Sequence, residues 1–443
     1  MHWLLLALGS SYPDRGYKMS RRYLAGFVQA GLFNPLVAPT PTYLYNLLSW
    51  GYNGFGQLGL GNTTYYSSPK QVGLLTTWSK ITAGTYHTIA TKTDGTLWSW
   101  GYNASGQLGL GNKTNYSSPK QVGSLTTWSN ITAGFNHTIA TKTDGTLWSW
   151  GNNRFGQLGL GNTTYYSSPK QVGLLTTWLN ISAGQYHTIA TKTDGTLWSW
   201  GFNIYGQLGL GNTTYYSSPK QVGSLTTWSK ITTGLRHAIA TKTDGTLWSW
   251  GGNNYGQLGL SNITYYSSPK QVGSLTTWSN ITAGFNHTLA TKTDGTLWSW
   301  GRNNYGQLGK GNTTNYSSPK QVGALTTWLN IAGGPYFSIA TKTDGTLWSW
   351  GRNNLGQLGL GNVTNYSSPK QVGSLTTWLN ITAGSYHTIA TKTDGTLWSW
   401  GRNISGQLGL GNTTYYSSPK QVGLLTTWSK ITAGTYHTLA TTQ

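Results

Sequence analysis

The chain has 443 residues, including 61 Gly, 24 Trp and 28 Tyr, and carries a net charge of +21. Cysteine is absent, which excludes disulfides, thiolate catalysis and cysteine-ligated metals together. Glu is absent too, the acidic residues being Asp14 and one Asp per repeat from Asp94 to Asp394, so general acid–base carboxylate pairs are missing. No apolar run approaches the ~20 residues of a membrane helix, and the excess of Lys and Arg favours anionic partners as well as solubility.

Residues 1–45 do not repeat. Trp3 to Leu8 is apolar but short and has no Lys or Arg before it, which makes a poor signal peptide. Met19-Ser20-Arg21-Arg22-Tyr23 offers an alternative start, with 1–18 as a misassigned extension. Asn34-Pro35 and Ala38-Pro39-Thr40-Pro41 read as a proline-punctuated linker, in the manner of short attachment arms of viral structural proteins.

From residue 46 to 443 one 50-residue unit is copied eight times, marked by Trp50, Trp100, Trp150, Trp200, Trp250, Trp300, Trp350 and Trp400 without an insertion or deletion. A unit this short cannot bury a core alone, so neighbouring copies must stack, and this period with strand-type content predicts propeller blades. Thr88 to Lys92 and Leu97 to Trp100 flank an Asp94-Gly95 pair, which predicts a hairpin. A two-residue turn would set Ile89 opposite Trp100, Thr91 opposite Trp98 and Ala90 opposite Ser99, giving one bulky and one small sheet face. Strands near Lys70–Val72 and Lys80–Ala83 complete a four-stranded blade.

The last copy stops at Thr438-Leu439-Ala440-Thr441 without its Leu-Trp-Ser-Trp strand, and the first opens with an orphan one, Leu47-Leu48-Ser49-Trp50. Pairing them would close the ring and remove an exposed edge. The expectation is an all-β chain, a single β-propeller of eight blades, with seven plus a displaced copy as the alternative.

The unit reads Leu-Trp-Ser-Trp-Gly-x-Asn-x-x-Gly-Gln-Leu-Gly-Leu-Gly-Asn, then Ser-Pro-Lys-Gln-Val, then Ile-Thr-Ala-Gly-x-x-His-Thr-Ile-Ala-Thr-Lys-Thr-Asp-Gly. It closely resembles the regulator of chromosome condensation repeat family over about nine-tenths of the chain. The resemblance implies a β-propeller, usually of seven blades, but not one function, because members include a nucleotide exchange factor, a plant ultraviolet photoreceptor, a β-lactamase inhibitor and interaction modules. The photoreceptor's chromophore tryptophans precede the repeat's histidine, whereas this chain has Tyr86, Asn136, Tyr186, Arg236, Asn286, Tyr336, Tyr386 and Tyr436 there. The exchange factor's protruding wedge has no counterpart in copies of equal length, so the resemblance implies neither activity.

Histidines recur at His87, His137, His187, His237, His287, His387 and His437, with Phe337 in the remaining copy. Ligands spread round a large ring cannot converge on a metal, and an apolar ring is tolerated at the position, so they read as structural and hydrogen-bonded. The Asp of each Asp-Gly is explained by its turn. The Gly-Gln-Leu-Gly-Leu-Gly-Asn stretch lacks the Lys-Ser/Thr and helix of a phosphate loop and reads as a structural turn. Trp98, Trp100 and their copies read as interblade core. Asn-x-Ser/Thr sequons such as Asn62, Asn162 and Asn412 follow from a Thr- and Asn-rich repeat.

Differences between copies cluster around Asn53 and in the pair before the histidine, at one end of the hairpins, while Ser67, Ser68 and Lys70 never vary. Lys92 to Gly95 and Thr76-Thr77-Trp78 lie at the other end. Variable loops on a rigid scaffold suit recognition. The candidate ligand-binding residues are Tyr52, Phe55, Tyr86, Arg154, Phe155, Tyr186, Phe202, Tyr205, Arg236, Tyr255, Arg302, Tyr305, Tyr336, Arg352, Tyr386, Arg402 and Tyr436, whose charges are all positive. The leading expectation is a non-enzymatic recognition propeller without cofactor or metal, a phage or bacterial surface protein binding a host-surface glycan or an acidic protein patch. The alternative is an intracellular, cytoplasmic or nuclear, protein-interaction scaffold. Nucleic acid is less favoured, because the face is aromatic and amide-rich and lacks a lysine stripe.

Overall fold

The computed structural model describes residues 45–74 and 76–443. The N-terminal arm, with its Met19 start and proline linker, lies outside the described residues apart from Tyr45. Among the described residues thirty-two strands, numbered β1 to β32 in chain order, form eight antiparallel four-stranded sheets. A typical blade runs from β3 (Trp78–Ala83) through β4 (His87–Lys92) and β5 (Leu97–Gly101) to β6 (Tyr116–Gln121). β3 and its counterpart in the next blade, β7 (Trp128–Ala133), neighbour one another around the axis, so these are the innermost strands. The Ser-Pro-Lys-Gln strand is the outermost and follows the hairpin. The strand expected near Lys70–Val72, in the same blade as the Asp94 hairpin, runs Tyr66–Gln71 and belongs to the blade before it.

That placement shapes the closure. β1 (Asn46–Gly51) pairs with β32 (His437–Thr442) from Asn46↔Thr442 to Gly51↔His437. The closing blade is completed by β2 (Tyr66–Gln71) and β31 (Trp428–Ala433), so the chain start contributes two strands to it and not one. Eight blades close the ring, as the period predicts.

The hairpin register departs from expectation by one residue. The observed pairs are Thr88↔Trp100, Ile89↔Ser99, Ala90↔Trp98 and Thr91↔Leu97. The loop has three residues, Thr93-Asp94-Gly95: Gly95 N donates to Lys92 O and Lys92 N to Thr96 O, both at 3.0 Å. Gly95 takes φ +76°, the left-handed residue that ends such a loop. It could carry no side chain, since a Cβ would sit 1.9 Å from the carbonyl oxygen of Thr126. Asp94 braces the turn, its Oδ1 accepting from Thr96 N at 2.9 Å and Thr96 Oγ1 at 2.7 Å.

Because the period of a strand is two, this slip redistributes side chains between faces. One face carries Trp98 and Trp100 beside Ala90 and Thr88, and the other carries Ile89, Leu97 and Ser99. Packing between blades therefore sets an aliphatic face against a tryptophan face: Ile89 and Leu97 meet Trp128, Ala140 and Trp150 of the following blade. Trp100 is fully buried, like its seven counterparts, and donates its indole N–H to Gln57 O of the preceding blade at 2.9 Å. Trp98 is only partly buried at the rim of this core. Lys92 covers it, with Nζ 3.6 Å from the Trp98 ring centroid.

Candidate recognition face

The two variable clusters share one end of every hairpin. Tyr102 N donates to Tyr86 O at 2.9 Å, and the same bond joins Phe202 to Tyr186, Gly252 to Arg236, Arg352 to Tyr336 and Arg402 to Tyr386. The loop after Gly51 is held from inside by Asn53, which is fully buried. Its Nδ2 donates to Asn62 O at 2.9 Å and Thr64 O at 3.0 Å, and its Oδ1 accepts from Leu58 N at 2.9 Å. The invariant Asn thus fixes a loop whose flanking positions are free to differ.

At each seam the fold adds a grouping that linear order hides. A residue from one copy's loop meets the two variable positions of the next hairpin. Phe55 lies 5.3 Å from Tyr86 and 4.8 Å from Tyr102. Phe155 lies 5.3 Å from Tyr186 and 4.9 Å from Phe202. In the later copies a guanidinium takes one place in the group. Arg236 stacks 4.6 Å from the Tyr205 ring, and Arg302 lies 5.0 Å from Tyr255 and 5.2 Å from Tyr336. Arg352 lies 5.1 Å from Tyr305, and Arg402 bridges Tyr386 at 5.4 Å and Tyr436 at 5.2 Å. Tyr436 continues to Tyr52 at 6.1 Å, so a belt of alternating rings and cations runs across the closing seam. Arg302, Arg352 and Arg402 are half-buried in this belt, whereas Arg154 and Arg236 are exposed. Arg154 leans on the Phe155 ring at 5.5 Å.

A third variable position joins the face and was missed in the sequence. Tyr65, Tyr165, Tyr215, Tyr265 and Tyr415 are exposed there, and Tyr65 packs 4.7 Å from Tyr52. Asn replaces it in three copies and hydrogen-bonds locally, Asn115 Oδ1 accepting from Asn103 N at 2.8 Å. Its spacing from the other clusters concealed it, although its Tyr/Asn alternation was a usable signal. At the centre of the face the axial channel opens into a cavity of about 550 Å³, partly walled by Phe135, Gln185, Leu235, Phe285 and Pro335.

The histidines sit just behind this mouth and are fully buried. Burial, with neighbouring imidazoles adding to it, pushes His87 and His137 down to about 3. Burial alone pushes His187 to about 4. They are neutral at physiological pH. His287 and His387 each place Nε2 3.2 Å from a hydroxyl of the next blade, Ser338 and Thr438. His87 and His137 have no such partner, so hydrogen bonding is not general to the ring. Packing is: a Cβ on Gly84 would fall 2.3 Å from His87 Cε1. Among the described residues no cluster of three or more His, Asp or Glu could hold a metal.

Three repeat positions on the rest of the surface depart from expectation. Ser67 and Ser68 look exposed in sequence, yet their invariance has a packing cause. A Cβ on Gly56 would lie 2.5 Å from Ser117 Cα of the next blade, and Gly61 N donates to Ser117 O at 2.7 Å. Lys92 and its copies are buried against tryptophans and are not free charges of the opposite face; Lys192, for example, is 5% exposed.

The described residues therefore define a closed eight-bladed β-propeller with a variable loop face. A model described as the RCC1-like domain matches residues 47–328, and models of the regulator of chromosome condensation (RCC1) repeat match 344–391 and 394–441. The chain belongs to the RCC1 repeat family. Among solved structures, human WBSCR16 is 22% identical, with 90% of this chain and 99% of that one covered and a TM-score of 0.64. Prp20p from Saccharomyces cerevisiae, described with its binding properties to Gsp1p and histones, is 20% identical, with 90% and 93% covered and a TM-score of 0.62. Yeast RCC1 (Prp20) bound to Kap60 is 18% identical, with 97% and 96% covered and a TM-score of 0.63. No curated protein matches the chain.

Proposed function

We propose that this chain is a non-catalytic, intracellular protein-interaction scaffold that grips an acidic protein surface with its variable face. The observation that carries the reading is the belt from Arg302 to Tyr52, in which half-buried guanidiniums are interleaved with tyrosine rings. A guanidinium presents its donors as a rigid planar fork, which suits carboxylates, and Tyr and Arg are enriched among the residues that dominate protein interfaces. No acidic residue belongs to the variable positions, so an anionic partner meets an uncompensated field. Yeast Prp20p is itself known with protein partners, Gsp1p, histones and Kap60. A basic partner such as a histone would be repelled by this face, whereas an acidic one would be attracted.

The neighbouring structures lend no support to the virion or cell-surface reading with a glycan ligand. Catalysis has no candidate on the face: the aspartates are held in turns at the other end, and the histidines are neutral and enclosed. Replacing Arg302, Arg352 and Arg402 by Asn tests the scaffold reading, because Asn152 occupies the same position in copy three. Binding to immobilised poly-glutamate should fall at least about tenfold, as expected when several charge-assisted contacts are lost. The triple Lys120, Lys220 and Lys320 to Asn removes equal charge from exposed outer strands and should change binding far less. Equal losses from both triples would overturn the reading in favour of bulk charge.

A further inference from the structure

The channel has a second mouth, at the hairpin-turn end, and it is chemically unlike the first. It opens into a cavity of about 1140 Å³ bounded by the innermost strands. Its rim is one equivalent position from each blade, occupied by Lys80, Lys230 and Lys430 in three copies and by Asn in the other five. No Asp or Glu lines the cavity.

Among the described residues the hydrogen bonds of these lysines go to neutral oxygens, and Lys430 Nζ also lies 4.9 Å from the centroid of the Tyr45 ring. Lys80 Nζ donates to Asn130 Oδ1 at 2.6 Å, and Lys230 Nζ to Ser279 O at 2.8 Å and Asn280 Oδ1 at 3.0 Å. Lys430 Nζ donates to Ser79 O. An ammonium has three donors and a full charge, so these contacts orient each group along the rim without neutralising it. The seam does not need them, since five copies close with Asn at the same place. Lys80 and Lys430 come from adjacent blades, and Lys230 stands three blades along from Lys80. A ligand engaging more than one of them must therefore carry several anionic oxygens. At about 1140 Å³ the cavity slightly exceeds the ~300–1,000 Å³ of typical small-molecule sites, and the asparagine amides supply further donors for such oxygens.

We propose that this mouth is a binding site for a small, multiply charged oxyanion, a polyphosphate or polycarboxylate held by Lys80, Lys230 and Lys430. It is independent of the variable face, which lies at the other end of the channel.

Isothermal titration calorimetry of the full chain with inorganic tripolyphosphate tests the site, with citrate as a second arm that separates phosphate from carboxylate selectivity. The triple Lys80→Asn, Lys230→Asn, Lys430→Asn installs the residue that the other copies already carry, so folding should be retained, and an unchanged melting temperature checks this. Affinity should drop at least about tenfold, and the gain variant Asn330→Lys, Asn380→Lys, at rim positions that do not hold an existing lysine, should tighten binding. The Lys120, Lys220, Lys320 to Asn triple should leave affinity within about twofold. An absence of saturable binding of either anion by the wild type would overturn the proposal, as would equal losses in the two triple variants.

Discussion

Trp50 donates its indole N–H to the carbonyl of Gln407 across 3.0 Å, although 357 residues separate them in the chain. Every other blade seam carries the same bond between nearer residues, such as Trp100 to Gln57. The closing seam therefore carries the same indole–carbonyl bond as the rest, and its stability depends on recruiting β1 and β2 from the chain start. Removing residues 1–77 should leave the edge of β32 unpaired, an invitation to aggregation. Attaching residues 45–77 after Gln443 through a short flexible linker should restore the blade, since Gln443 Nε2 already lies 3.2 Å from the Tyr45 hydroxyl. The melting temperature should fall for the truncation and recover for the permuted chain. Equal melting of the two would show that the two-plus-two closure contributes nothing.

The two tryptophans of each Leu-Trp-Ser-Trp strand differ in burial. Trp200 is fully buried and hydrogen-bonded to Gln157 O at 2.9 Å, so Trp200→Ala should cost roughly 3 to 5 kcal/mol in chemical denaturation. Trp198 is half-buried under Lys192, whose Nζ is 3.6 Å from its ring. Trp198→Ala should cost clearly less, and equal costs would contradict the placement of Trp200 in the interblade core and of Trp198 at its rim.

Glycines at left-handed positions offer a sharper comparison. Gly173 has φ +63° and open space around its missing Cβ, so Gly173→Ala should cost about 1 to 2 kcal/mol, the backbone strain alone. Gly195 has φ +75° and would drive a Cβ to 1.9 Å from Thr226 O, so the same change must also displace the next blade's loop. Denaturation should rank Gly195→Ala well above Gly173→Ala. The reverse order would refute the three-residue turn.

The same turn marks where the sequence ceases to be legible. The period, the ring and its closure follow from the spacing of tryptophans and the complementary chain ends. The Asp94-Gly95 pair suits either a two-residue or a three-residue loop, and only the bond from Gly95 N to Lys92 O decides between them. That one-residue difference moved Ile89 to the face opposite Trp100. The variable positions were visible as a set, but the grouping of Phe55 with Tyr86 and Tyr102 was not, because it is made by stacking of separate blades. Lys92 reads as a surface charge until its tryptophan cover is seen. The lysines of the second mouth were hidden differently: Ser79-Lys80, Leu179-Asn180 and Ser129-Asn130 vary within a strand, and nothing in one copy says that this strand lines the axis.

The buried histidines predict how the ring responds to acid. Their folded-state values, about 3 for His87, His137, His237 and His387 and about 4 for His187, His287 and His437, lie below the ordinary 6.5. The cause is burial first, with neighbouring imidazoles adding to it in the lower group. Protons therefore bind the unfolded chain before the folded one, so the stability from burying neutral imidazole is complete above about pH 6.5. It is lost as pH falls from there toward 4 to 3. The turn aspartates cannot mimic this, because hydrogen bonds from the following Thr hold residues such as Asp144 below 3.8, and their contribution fades only at lower pH. Phe337 supplies the control within the chain, being buried at the same position with no titrating group. Replacing His187 and His287 by Phe should flatten the decline in melting temperature between pH 6.5 and 4 while changing little at pH 8. If the double variant and the wild type lost stability in parallel over that window, the histidine ring would not be what makes the propeller acid-sensitive.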